Sequence, residues 1–161
     1  GRLLEFVTRP PVAFALFNVV LVGSHWPAVL DTMTATQLGS FALDAVALAS
    51  GLAFWWPVVC PLPERPSFRE MWQMAYLFLN TIPATVVGLM LVYADYPAYA
   101  TYELAPPVFG VSAVADQQVA GLVMKFGGGL VLWTVIAVIF YRWYRRESEE
   151  GEPAVPADAG A

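Results

Sequence analysis

Apolar residues fall in four long runs along the chain: about Pro11 to Leu30, Gln37 to Val59, Glu70 to Tyr93 and Ala115 to Tyr144. Each is near the roughly 20 residues needed to cross a bilayer as a helix. A spanning segment must satisfy its backbone hydrogen bonds internally, so helices or a closed barrel are the only options. The short alternating strands of a barrel are absent from the pattern. The expected fold is therefore an all-α integral membrane protein with four transmembrane helices in one domain, residues 1–146. Between the third and fourth runs, residues 94–114 form a longer connection rich in Tyr and Pro, expected to lie over the helix ends as a cap. Residues 147–161, acidic and rich in Ala and Pro, are expected to be a disordered tail.

Charge gives these helices a direction. Arg2 and Arg9 precede the first run, Arg65 and Arg69 lie between the second and third, and Arg142, Arg145 and Arg146 close the fourth. The connections at 31–36 and 94–114 contain no Lys or Arg. By the positive-inside rule both termini face the cytoplasm and those two connections face outside. With 58% hydrophobic and 13% charged residues, the composition is that of a membrane protein rather than a soluble domain. The chain opens on Gly1 rather than Met, so further N-terminal sequence is expected.

Polar residues inside the runs carry the candidate chemistry. Asn18 and His25 share a face of the first helix, and Gln37, Ser40, Asp44, Ala47 and Gly51 form a small, polar stripe on the second. Asn80, Ala84 and Gly88 repeat at spacing four on the third. The fourth opens with Asp116-Gln117-Gln118, places Gln117, Gly121, Met124 and Gly128 on one face, and passes through Gly127-Gly128-Gly129. Stripes of this kind serve helix packing. Asp44 and Lys125 differ, because each lies roughly 10 to 15 Å inside its helix at 1.5 Å per residue. A lone charge at that depth is costly, so the two are expected to pair with each other.

A single Cys and a single His exclude a disulfide framework and a self-contained Cys/His zinc site. The sequence also has no H-E-x-x-H, no His pair for haem and no evident Ser/His/Asp set, so no enzymatic activity is expected. Copper remains chemically possible, with His25, Met33, Met90, Met124 and Cys60 as soft or borderline donors.

Four blocks occur in a recognisable order: Ser24-His-Trp-Pro27, Gly51-Leu-Ala-Phe-Trp-Trp-Pro57, Asp95-Tyr-Pro-Ala-Tyr99 and Asp116-Gln-Gln-Val-Ala-Gly-Leu-Val-Met124. Together they resemble the CtaG-type (caa3) cytochrome c oxidase assembly proteins, from Leu3 to about Arg146. Members of that family carry more spanning helices, and this chain resembles the last four. The resemblance implies a multi-pass plasma-membrane protein that assists maturation of a haem-copper oxidase, handling copper at the outer face. Its partners would be oxidase subunits and the lipid bilayer, with no nucleic acid. It carries His25, Asp116, Gln117, Gln118 and Met124 over as family positions, with His25 and Met124 as the metal donors. Two positions depart from it. A Glu-His pair commonly precedes the Trp-Trp-Pro helix, where this chain has Leu43 and Asp44, and Lys125 stands where Trp often follows the Met. An Asp44–Lys125 ion pair in place of a metal site fits both changes, and a scaffold subunit that binds no metal is the alternative reading.

Overall fold

The computed structural model describes residues 1–59, 70–106 and 110–150. All regular structure among them is helical: α1 Arg2–Val7, α2 Pro10–Ser24, α3 Pro27–Thr34, α4 Gln37–Val59, α5 Glu70–Tyr93, α6 Ala100–Glu103 and α7 Ala113–Glu150. Helices α4, α5 and α7 are each long and apolar enough to cross a membrane, and α2 with α3 would make a fourth, broken span. The protein is a multi-pass membrane protein, and its large exposed side chains (Leu38, Phe41, Leu52, Phe126, Leu130) suit a lipid-facing surface. Cys60, Arg65 and Arg69 lie outside the described residues.

The first apolar run is not one straight helix. It bends by 75° between α2 and α3, and Pro27 explains where. Proline has no N–H to continue the ladder and its ring pushes the preceding residue into extended geometry. Trp26 accordingly has φ −72° and ψ 124°, and Pro27 opens α3 as its first residue. Pro57 and Pro83, by contrast, lie within α4 and α5. At its far end α7 runs on through Glu147 to Glu150, so the stretch expected to be disordered from 147 starts as helix. An Arg145–Glu149 ion pair at 3.1 Å, one turn apart, supports it there.

The bundle has two ends of different chemistry. One, the arginine end, gathers Arg9 at the start of α2 and Arg142 to Arg146 at the close of α7, where Arg146 pairs with Glu70 at the start of α5. The other, the loop end, carries α3, α6 and residues 94–106. Near the arginine end lies an aromatic core of Phe54, Tyr76, Leu77, Leu132 and Ile139. Phe17, Phe54 and Tyr76 stack in sequence, with ring centroids 4.7 and 4.8 Å apart. The Tyr76 hydroxyl donates to the Phe54 carbonyl at 2.9 Å.

Above this core the contacts become polar. Asn18 donates through Nδ2 to Asn80 Oδ1 at 2.9 Å, joining α2 to α5 in the middle of the bundle. Nearer the loop end α5 and α7 cross backbone to backbone. A Cβ added at Gly121 would lie 2.7 Å from the Gly88 carbonyl oxygen, and one added at Gly88 would lie 3.1 Å from that of Gly121. Only glycine permits that approach. The three consecutive glycines of α7 do something else. A Cβ at Gly128 or Gly129 meets nothing within 4 Å, so they are not a close helix contact within the chain.

Candidate functional site

At the loop end, α2, α3, α5, residues 97–102 and the first turns of α7 enclose a cavity of about 370 Å³. Its lining includes His25, Tyr99, Tyr102, Asp116 and Gln117. Residues far apart in the sequence, His25 on one side and Asp116-Gln117 on the other, thus meet on one small volume.

His25 sits at the C-terminal end of α2, where the helix stops before Trp26-Pro27. Its Nδ1 lies 2.7 Å from the Leu21 carbonyl oxygen. A carbonyl only accepts, so in the neutral ring Nδ1 holds the proton and donates, and Nε2 is left with its lone pair. The Ser24 hydroxyl lies 3.3 Å from the same Nδ1 and donates to the Leu21 carbonyl at 3.1 Å. The imidazole is therefore fixed in both orientation and tautomer.

Asp116 stands in the first turn of α7, where a carboxylate is favoured by the helix dipole. It is exposed toward the cavity. Gln117 is different: it is buried and its amide is spent on backbone. Its Oε1 accepts from the Ala98 N–H at 2.7 Å, and its Nε2 donates to the Leu91 carbonyl at 3.2 Å and to that of Tyr96 at 3.5 Å. Gln117 ties the end of α5 and the loop after it to α7. Gln118 is half-buried and does not line the cavity.

The loop is also held from the side of α3. Asp31 accepts from the N–H groups of Ala100 and Thr101 at 3.2 and 3.0 Å, and from the Thr101 hydroxyl at 2.9 Å. It thereby caps the short α6 with a side chain that comes from far back in the chain. Tyr99 is buried beneath, and its hydroxyl donates to the His25 carbonyl at 3.1 Å. Burial pushes the Tyr99 phenol above its ordinary pKa, with Tyr102 and Asp31 adding to the effect, so it remains a donor. We expect Asp31→Ala to release this loop alone. Amide exchange at Ala100 and Thr101 should quicken while α4, α5 and α7 keep their protection. Unchanged exchange at those two amides would show that the carboxylate does not hold them.

Two sequence expectations meet a different geometry. Met124 is half-buried two turns below Asp116, about 12 Å along α7, and does not line the His25 cavity. Nor do Asp44 and Lys125 pair with each other: among the described residues the ion pairs are Arg145–Glu149 and Arg146–Glu70. The reason is topological. Helix α4 packs on α2 and α3 while α7 packs on α5, which leaves Asp44 exposed on the far side of α4. Lys125 lies 5.6 Å from the centroid of the neighbouring Phe126 ring. No group of three or more His, Cys, Asp or Glu side chains suited to a metal occurs among the described residues. Sequence reasoning missed Asp31, Tyr99 and Tyr102. The only signal for Tyr99 was its place in the Asp95-Tyr-Pro-Ala-Tyr99 block.

A family model described as the cytochrome c oxidase caa3 assembly factor, Caa3_CtaG, matches residues 1–146. The chain belongs to that family. Comparison with curated proteins and with solved structures finds no match. Within a Caa3_CtaG protein the loop-end cavity takes on a particular interest, because His25 and the Asp116-Gln117-Gln118 block both reach it or its rim. The block divides by role: Asp116 faces the cavity, and Gln117 builds its wall.

Proposed function

We propose that this Caa3_CtaG protein is a non-catalytic helper in the plasma membrane that presents copper to a haem-copper oxidase subunit from its outer face. The observation that carries the reading is the loop-end cavity, with His25 oriented through Nδ1 and Asp116 lining the same volume. A metal-binding histidine typically donates its other ring N–H to a carbonyl, and Leu21 supplies one here. The absence of Lys and Arg from residues 31–36 and 94–106 supports the outer placement of this end.

The donor set also says what sort of holding to expect. One imidazole and one carboxylate are borderline-to-hard ligands and suit Cu(II) better than Cu(I). Two protein donors leave coordination positions for the client protein, which is what a cargo site needs if the ion is to leave. Copper here is cargo.

The test is copper uptake by the purified protein in detergent. We expect stoichiometric, chelator-removable Cu(II), lost in His25→Ala and weakened in Asp116→Asn, with both variants keeping the wild-type thermal midpoint. Copper that stays at background in the wild type would overturn the reading. A scaffold role, binding oxidase subunits without metal, would then be the better account. The structural use of Gln117 and the absence of Met124 from the lining of the His25 cavity favour that second reading.

A further inference from the structure

Asp44 and Lys125 are both set within membrane-crossing helices, and neither has an ionic partner among the described residues. A charged side chain facing hydrocarbon is costly, so such residues pair, or face a protein or water surface. Lys125 opens into a groove of about 460 Å³ between α5 and α7, whose lining includes Thr81, Ala84, Thr85, Gly129 and Trp133. Ala84 and Gly129 keep its floor low, between the larger Phe126, Leu130 and Trp133. Asp44 stands on an exposed stretch of α4 flanked by Ser40 and Ala47, again small residues.

The depths of the two charges agree. Gly51 faces Phe17, and Asn18 bonds to Asn80, so Gly51 is near the level of Asn80. Asp44, seven residues back toward the loop end, is about 10 Å above that level at 1.5 Å per residue. Gly121 meets Gly88, which puts Lys125, four residues on, near the level of Ala84, about 6 Å above Asn80. The remaining difference of about 4 Å is within reach of a lysine stem, which on α7 leans toward the helix N-terminus and so toward the loop end.

We propose that the groove at Lys125 receives α4 of a second copy of this chain, with Asp44 of that copy as the counter-ion. Opposite charges at similar depth, each on a face that no other described element covers, complement each other and do not meet within the described residues of one chain. Gly129 then has a use: on the floor of the groove it lets the incoming helix approach α7 closely. This inference is independent of whether the loop-end cavity takes copper.

The experiment uses two differently tagged copies co-expressed in membranes, with Cys60→Ser in both. Asp44→Cys in one and Lys125→Cys in the other should give a cross-linked heterodimer, absent when either cysteine is alone. A cross-link of equal yield from Asp44→Cys alone would place α4 against α4 and overturn the proposal, as would no cross-link at all. With native side chains, Lys125→Asp should weaken co-purification of the two tags by about threefold to tenfold, a loss of the size interhelical polar contacts give in bilayers. Adding Asp44→Lys in the same chain should restore it, since every contact is then reversed together. Failure of the reversed pair to recover association, with the protein still folded by thermal melt, would overturn the proposal, because the carboxylate facing Lys125 then does not come from α4 of a second copy.

Discussion

Replacing Gly121 by alanine is expected to pry apart the loop-end halves of α5 and α7. The added Cβ would stand 2.7 Å from the Gly88 carbonyl oxygen, 2.9 Å from Val92 Cγ2 and 3.0 Å from Leu91 Cβ. The first of these atoms is backbone and cannot swing away, so the helices must separate. Overpacking of this kind costs about 1–3 kcal/mol, and Gly121→Leu should leave no stably folded protein. Gly88→Ala, at 3.1 Å from the Gly121 carbonyl, should cost less, and Gly128→Ala, with open space around it, should cost almost nothing. Thermal unfolding in one detergent, followed by tryptophan fluorescence, tests that order. Equal midpoints for Gly121→Ala and Gly128→Ala would show that the crossing is not close.

Loss of the Gln117 amide should have the next largest effect, and a more local one. Gln117→Met keeps the length and volume of the side chain but removes every polar contact it makes. The Leu91 carbonyl and the Ala98 N–H are then left inside the fold without the partners Gln117 gives them. An unsatisfied buried backbone group costs about 1–3 kcal/mol, so a loss of about 2 kcal/mol is expected. The cavity should open with it, because residues 96–99 are hung from this side chain. Hydrogen exchange at Ala98 is the direct readout, together with the thermal midpoint. A midpoint at the wild-type value and an Ala98 amide still protected would mean that the loop is held by Asp31 and Tyr99 alone. Gln117→Glu separates the two halves of the contact, since it keeps the acceptor for Ala98 and sets an oxygen against the Leu91 carbonyl.

The glycines show how far a sequence pattern reaches. Gly121 and Gly128 share a face of α7 and are alike in the sequence, yet one is at the helix crossing and the other in open space. Spacing along a helix fixes which residues share a face, but not which part of that face a neighbour covers. The stripe on α4 fails for the same reason. Its Gly51 end lies against Phe17 of α2, while its Asp44 end is uncovered.

Asp44 and Lys125 carry the same lesson for charge. Their depth could be counted along the helices, and the cost of burying each one alone was a sound reason to expect a partner. Which chain supplies that partner depends on the order of helices in the bundle, and no one-dimensional pattern contains it. His25 and Asp116 are the reverse case. Each stood out in its own block, and only the folding of α3 and residues 97–102 over the helix ends brought them onto one cavity.

The sequence by itself determined the class of the protein, because bilayer thickness and backbone hydrogen bonding leave few structures open to runs this long and apolar. It carried the family too, in four blocks whose order is legible without coordinates. The tertiary structure decided the division of labour within Asp116-Gln117-Gln118 and the separation of Asp44 from Lys125. Those outcomes rest on contacts between residues 20 to 90 positions apart, such as Gln117 with Leu91 and Tyr99 with His25. Such contacts are set by which helices pack together, and the helical period of one segment holds no information about its neighbours.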